Sequence, residues 1–187
     1  MNADSARAEI FGDSLACEET RPAAFVPGEL GANAARDACL RAESLLRALA
    51  VIEDSRVEDS DERTAADLAL SRIEAKVDLL TALVAGLSKR HEHEDPLRPL
   101  QWSALGACLR SDDEVAPGTA GGFRIQPSDW LPQSLLLPAT VVATFTDGDG
   151  RQTWLRFAPQ SPALTAALER HLFRVHRRAI AEQRRPR

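Results

Sequence analysis

Two places in the sequence carry side chains that could bind a metal ion. His91, His93, Glu94 and Asp95 end a predicted helix, and successive helical positions point about 100° apart, so these side chains do not converge on one ion. The run Asp147-Gly148-Asp149-Gly150 begins like a calcium-binding loop but lacks the later oxygen ligands and the closing glutamate. We expect a polar helix end at the first place, a hairpin turn at the second, and no metal site.

The contexts that covalent catalysis needs are also missing. No serine lies in a Gly-x-Ser-x-Gly turn, and no glycine-rich phosphate-binding loop occurs. Three cysteines, Cys17, Cys39 and Cys108, are widely spaced without a Cys-x-x-Cys pair, which favours reduced thiols in a cytoplasmic protein. The N-terminus has no signal-peptide pattern, and no apolar run approaches the ~20 residues that span a bilayer. We therefore expect a cytoplasmic protein that is not an enzyme and has no cofactor.

Charge is spread unevenly along the chain. Residues 1–95 carry 20 acids and 11 bases, whereas residues 96–187 carry 8 acids and 12 bases, seven of them in the last 18 residues. A nucleic-acid-binding domain is usually basic throughout, so nucleic acid is not the expected partner.

The basic residues near the C-terminus fall on a predicted amphipathic helix. Ser161 is a suitable N-cap and Pro162 a suitable first helical residue. The apolar face is Leu164, Leu168, Leu172 and Val175. We expect the remaining face to project into solvent as a surface for a protein partner, formed by Arg170, Arg174, Arg177 and Arg178. The alternatives are a merely solvated face and a site for an anionic ligand.

A second predicted helix, from about Glu62 to Glu92, carries three consecutive heptads. Its a and d positions are Leu70, Ile73, Val77, Leu80, Val84 and Leu87. A stripe that repeats every ~3.5 residues favours supercoiling against partner helices. Leu79 and Leu83 widen the stripe, which suits a multi-helix bundle better than a two-stranded coil. We expect a homo-oligomer, with a packing helix within one domain as the alternative.

The rest of the chain divides into three regions. Residues 1–33 mix short apolar pieces with turns, and Leu15 to Val26 could supply a strand in which Pro22 marks an edge or a bend. Residues 34–95 are helical, with a first helix from about Ala34 to Ile52 that we expect to pair antiparallel with the heptad helix. Residues 96–187 are rich in short strands, which predicts a small antiparallel barrel. The predicted strands are Pro99 to Arg110, Gly122 to Ile125, Ser134 to Phe145 and Gln152 to Phe157.

The stretch Leu100-Gln101-Trp102-Ser103-Ala104-Leu105-Gly106, together with Trp154-Leu155-Arg156-Phe157 before a terminal helix, resembles a PilZ domain. The resemblance covers about residues 97–180. It implies a small β-barrel, and in many members binding of cyclic di-GMP through Asp/Asn-x-Ser-x-x-Gly and an Arg-x-x-x-Arg loop. Gln101, Ser103 and Gly106 occupy the first motif. The added heptad helices resemble the atypical, tetrameric branch, which implies an α+β fold with the helices inserted after a first barrel strand.

The sequence departs from the PilZ pattern at the phosphate-binding arginines. Upstream of Gln101 there is no Arg-x-x-x-Arg, and Arg90 and Arg98 are separated by three acids. We therefore expect a non-catalytic adaptor that does not bind cyclic di-GMP at the standard position, and the resemblance implies that it is a tetramer. The resemblance further implies bacterial signalling through protein partners, in type IV pilus assembly, motility or virulence. The alternative is a cyclic di-GMP receptor that uses a degenerate site.

Overall fold

The computed structural model describes residues 3–12, 14–54, 95–111, 113–131, 133–148 and 150–184, together with the helical residues 69, 70, 73, 76, 77, 79 and 80. Within these ranges lie three helices and six strands with defined bounds. The helices are α1 (Ala3–Phe11), α2 (Ala32–Asp54) and α3 (Pro162–Gln183). The strands are β1 (Cys17–Pro27), β2 (Leu97–Trp102), β3 (Gly106–Arg110), β4 (Ala120–Ile125), β5 (Leu135–Asp147) and β6 (Gly150–Phe157).

The six strands form a closed antiparallel barrel in the order β1-β2-β3-β6-β5-β4, which confirms the predicted α+β fold. Strand β1 closes it by changing partners at Pro22: Cys17 to Pro22 pair with β2, and Ala23 to Pro27 pair with β4. Proline has no N–H to donate to a ladder, and the carbonyl of Pro22 instead accepts a hydrogen bond from the Gln126 N–H at 3.0 Å. Pro22 therefore lies at a bend rather than on an open edge.

One predicted strand is divided in the structure. Pro99 to Arg110 was predicted as one continuous strand, but β2 and β3 are separate antiparallel strands. The predicted length was wrong because the buried Ser103, whose N–H donates to the Gly106 carbonyl at 2.9 Å, closes a tight turn between them. The predicted hairpin at Asp147 to Gly150 is confirmed, since these two residues are paired at the end of β5 and β6.

The main core fills the barrel and extends under two of the helices. Trp102, Phe123 and Leu155 are completely buried inside it, and the rings of Phe123 and Phe157 stack with centroids 5.5 Å apart. The same cluster contains Leu45, Leu46 and Leu49 of α2, Leu79, and the predicted apolar face of α3: Leu164, Leu168, Leu172 and Val175. The apolar stripes of both helices therefore cover the barrel.

Helix α2 packs alongside α3, and the two run parallel. Near the start of the contact the Ser161 hydroxyl donates to Glu43 at 3.2 Å, and further along both helices the Arg174 Nε donates to Glu53 at 3.0 Å. Ser161 also caps α3 by accepting from the Leu164 N–H at 3.1 Å, as predicted. The expected antiparallel pairing of α2 with the heptad helix falls mostly on residues outside the described ranges.

Helix α1 was not predicted, because residues 1–33 were interpreted as short apolar pieces and turns. Nine residues are too few for a stable isolated helix, so its helical form depends on packing. Ala6, Ile10 and Phe11 are buried in a second core cluster with Ala143 and Trp154 on the outside of the barrel. The rings of Phe11 and Trp154 lie 5.8 Å apart.

Candidate functional site

The three residues predicted as a degenerate ligand site lie at and beside the β2–β3 turn: Gln101 on β2, Ser103 in the turn and Gly106 at the start of β3. Ser103 is completely buried, and its hydroxyl donates to the Ile10 carbonyl of α1 at 3.0 Å while accepting from the Leu105 N–H at 3.0 Å. Both hydrogen bonds of this hydroxyl are thus made inside the protein. Ser103 fixes the turn and attaches the last turn of α1 to the barrel.

Gly106 lies under the same helix. A Cβ atom there would be 2.2 Å from the Leu155 carbonyl oxygen and 2.7 Å from the Ile10 Cγ2. Both distances are shorter than any ordinary contact, so only glycine allows α1 and β6 to approach so closely. The glycine of the motif serves close packing in this chain.

Charge around the turn is unfavourable for a phosphate. Arg156 pairs with Gly106 across the β3–β6 ladder, but its guanidinium forms an ion pair with Glu9 of α1. Gln101 is half-buried and lies opposite the exposed Glu18 on β1. The segment that precedes β1 contains one arginine, Arg7, and therefore no Arg-x-x-x-Arg motif. The structure places Ser103 and Gly106 at the β2–β3 turn under α1, and Gln101 on β2 two residues before Ser103.

The predicted oligomerisation stripe is exposed where the structure describes it. Leu70, Ile73, Val77 and Leu80 are helical, with exposed fractions of 57%, 58%, 53% and 60%. Leu79, on another face of the same helical stretch, is buried in the main core with an exposed fraction of 8%. Val84 and Leu87 lie outside the described residues. The four described a and d residues therefore lie on a face directed away from the chain's own core.

The predicted partner surface on α3 needs correction. Arg174 was expected to project into solvent, but its side chain is 11% exposed and donates to Glu53, whose side chain is 9% exposed. Arg178 donates to the same carboxylate at 2.7 Å and is 50% exposed. The expectation was wrong because positions 170, 174 and 178 lie on the side of α3 that faces α2. Arg170 and Arg177 are exposed, and the Arg177 guanidinium lies 6.0 Å from the Phe173 ring centroid.

Polar side chains of the barrel and of α3 meet in the core, and sequence reasoning missed this arrangement. The Trp102 indole N–H and the Arg21 Nε both donate to Glu19, at 2.9 Å and 3.0 Å. The His171 ring lies 5.7 Å from the Trp102 ring and is 1% exposed. The pattern could have placed His171 in the core, because residues 168, 171, 172 and 175 have the i, i+3, i+4, i+7 spacing of one helical face.

Burial dominates the electrostatics of this arrangement. Loss of hydration lowers the pKa of His171 to about 3, and the positive charges of Arg174, Arg178 and Arg21 act in the same direction. Burial likewise raises the pKa of the Cys17 thiol to about 11, with the nearby Glu19 carboxylate adding to it. The Cys17 thiol donates to the Leu172 carbonyl with an Sγ–O distance of 3.2 Å. These groups are neutral at physiological pH, as befits residues that join α3 to the barrel.

Among the described residues, no group of three or more His, Cys, Asp or Glu side chains could hold a metal ion. His91, His93 and Glu94 lie outside the described ranges, and Asp95 forms an ion pair with Arg124. No helix in the described ranges has the length and apolar character needed to cross a membrane.

The chain is similar to several solved structures. A pathogenic protein from Xanthomonas campestris, described as a tetrameric PilZ domain self-assembled via a helical bundle, is 42% identical. The alignment covers 96% of this chain and 97% of that one, with a TM-score of 0.74. The PilZ domain of YcgR from Escherichia coli with cyclic di-GMP is 17% identical over 48% of this chain and 78% of that one, with a TM-score of 0.38.

MotI/DgrA, an inhibitor of motility from Bacillus subtilis, is 18% identical over 46% of this chain and 44% of that one, with a TM-score of 0.37. No curated protein matches. The sequence profile described as "Atypical PilZ domain, cyclic di-GMP receptor" matches residues 46–185. The chain therefore belongs to the atypical PilZ domain family, as the sequence resemblance predicted.

Proposed function

We propose that this protein is a non-catalytic adaptor of cyclic di-GMP-linked bacterial signalling that assembles through its heptad residues. The observation that carries the proposal is the exposed stripe of Leu70, Ile73, Val77 and Leu80, each more than half exposed. Burying a large apolar side chain contributes ~1.5–3 kcal/mol, so a second helix would be stabilised on this stripe. The tetrameric assembly of the Xanthomonas campestris protein, at 42% identity, supports the same geometry here.

We further propose that the protein does not bind cyclic di-GMP at the β2–β3 turn. The Ser103 hydroxyl is used by Ile10 and Leu105, and Glu9 neutralises the nearby Arg156. A dianionic dinucleotide needs unpaired positive charge and planar partners, and α1 leaves neither at this turn. The process served would be type IV pilus motility or virulence, in the cytoplasm, as the family resemblance implies.

Light scattering tests the assembly. We expect the wild-type protein to be an oligomer, with tetramer as the expected state, and the double variant Val77→Asp/Leu80→Asp to be a monomer. The matched control is Leu40→Asp/Val51→Asp, which introduces the same charges at exposed apolar positions of α2. It should assemble normally. A wild-type protein that is monomeric at micromolar concentration would refute the proposal.

A second candidate function is a cyclic di-GMP receptor with a degenerate site, which the family description favours. Calorimetric titration with cyclic di-GMP separates the two. We expect no binding at micromolar nucleotide, whereas binding that is lost in Gln101→Ala would establish the receptor function at the β2–β3 turn. Binding that survives this substitution would place the nucleotide elsewhere on the protein.

A further inference from the structure

A groove runs along the outer side of the contact between α2 and α3. Its volume is about 160 Å³. Two arginines, Arg47 and Arg170, line it together with four alanines: Ala50, Ala163, Ala166 and Ala167. Because the alanine side chains are small, the backbone of a third helix can come close to both helices here. The volume accommodates one aliphatic side chain.

In two ion pairs along this contact the arginine is much more exposed than the carboxylate, whereas Arg174 is nearly as buried as Glu53. The Glu43 carboxylate is 14% exposed and its partner Arg47 is 63% exposed. The Glu53 carboxylate is 9% exposed and its partner Arg178 is 50% exposed. The acids are thus covered by the helices, while the guanidinium groups reach solvent. The outer face is therefore basic although the N-terminal half of the chain is acidic in sum.

An exposed aromatic side chain lies beside this basic groove. Phe173 is 53% exposed, and Arg177 lies over its ring. Arg170 forms no ion pair with any residue in the described ranges and is exposed. The exposed Glu169 lies beyond Phe173 on the side away from α2, given the 100° between successive helical residues. The face thus combines an apolar floor, an aromatic edge, the exposed Arg170, and Arg47, which is exposed although it is paired with Glu43.

We propose that this face, defined by Arg47, Ala166, Arg170 and Phe173 and called here the seam surface, docks an acidic amphipathic helix of a partner protein. An aliphatic side chain of that helix enters the groove, and carboxylates one turn on either side pair with Arg47 and Arg170. Arginine presents planar paired donors that fit a carboxylate, and a helix laid in an apolar groove is a common mode of recognition. The inference rests on the proposed adaptor function and adds where the partner binds and what chemistry it carries.

A displayed library of helical peptides tests the proposal. The library varies four positions spaced i, i+3, i+4, i+7 on a neutral scaffold and is selected against the full-length protein. We expect the enriched peptides to carry an aliphatic residue flanked by two acids. Their affinity should fall at least about tenfold in Arg47→Glu/Arg170→Glu, which reverses the rim charge, and in Ala166→Trp, which fills the groove without changing charge.

The matched control is Arg7→Glu/Arg41→Glu, which makes the same charge change at exposed arginines outside the groove and should leave the affinity unchanged. Selected peptides that lack acids, or that bind both groove variants as tightly as the wild-type protein, would overturn the proposal. Displacement of the peptide by cyclic di-GMP would assign the face to the nucleotide and would also overturn it.

The same peptides are measured on Val77→Asp/Leu80→Asp, because the seam surface is complete within one chain. We expect unchanged affinity on this monomeric variant, and binding that needs assembly would overturn the seam surface as the site. If instead the wild-type protein is monomeric and the peptides still bind, the assembly proposal fails while the docking proposal stands.

Discussion

Protonation of His171 should make the protein lose stability in mild acid. The imidazole is 1% exposed beside Trp102, with Arg174 and Arg178 on its own helix and Arg21 on β1 nearby. The Glu19 carboxylate accepts hydrogen bonds from Trp102 and Arg21. The neutral ring is therefore strongly favoured in the folded state, where its pKa is about 3 against an ordinary value of 6.5.

The sign and size of the effect follow from proton linkage. Below pH 6.5 this histidine is protonated in the unfolded chain but stays neutral in the folded protein. The free energy of unfolding therefore falls as the pH decreases toward 3. The slope is about 1.4 kcal/mol per pH unit once the unfolded form is protonated. At pH 5 the loss attributable to His171 is about 2 kcal/mol relative to pH 8.

Urea unfolding at pH 8 and pH 5, at one fixed protein concentration, measures this loss. The variant His171→Leu removes the titrating ring from the same apolar site. Between pH 8 and pH 5 its free energy of unfolding should fall by about 2 kcal/mol less than that of the wild-type protein. His176→Leu is the matched control, because His176 is exposed on the same helix; it should keep the wild-type difference. Equal acid sensitivity of His171→Leu and the wild-type protein would refute the assignment.

Three further substitutions should lower the free energy of unfolding. Ser103→Ala leaves the Ile10 carbonyl and the Leu105 N–H without their hydroxyl partner and should cost about 1–3 kcal/mol. Gly106→Ala forces a Cβ to within 2.2 Å of the Leu155 carbonyl and should cost at least about 1–3 kcal/mol, seen as a lower urea midpoint. Glu53→Ala removes the partner of two arginines, one of them mostly buried, and should cost about 3 kcal/mol with a lower Tm.

Each of these substitutions has a control elsewhere in the chain. Ser111→Ala affects only contacts with the exposed Asp113, and Gly31→Ala meets no atom within 4 Å. Glu18→Ala removes an exposed carboxylate. All three should change stability by less than about 0.5 kcal/mol. A stable Ser103→Ala protein would contradict the structural role assigned to this serine and return it to the ligand-binding hypothesis.

The elements that could be predicted from the sequence are those marked by a local pattern of apolar, polar and turn residues. The i, i+3, i+4 stripe of α3 and its Ser161-Pro162 start identified a helix whose apolar face does cover the barrel. The turn at Asp147 to Gly150 separated β5 from β6 correctly, because turn residues between β-rich runs carry a local signal. The family resemblance indicated that Leu15 to Val26 could be a barrel strand, which periodicity alone does not show, whereas the order of the strands was not predicted.

Features that depend on distant parts of the chain were missed or misjudged. Helix α1 is stabilised by Trp154 and Ala143, about 140 residues away, so its own nine residues give little helical signal. Arg174 looked solvent-exposed because the helical pattern shows which face is polar but not that α2 covers it with Glu53. The motif at Gln101, Ser103 and Gly106 was found, but its covering by Ile10 was visible only in the folded chain.

The position of α2 on the barrel connects the heptad stripe to the seam surface. It follows β1 and precedes β2, which are neighbouring strands, and its last turn is attached to α3 through Glu53. Leu79, from the helical stretch that bears the heptads, belongs to the same core cluster as Leu45 and Leu49 of α2. The heptad stripe and the seam surface therefore belong to one packed body. An assembly through the stripe would repeat the seam surface at fixed spacing, so that weak single contacts with an oligomeric partner add through avidity.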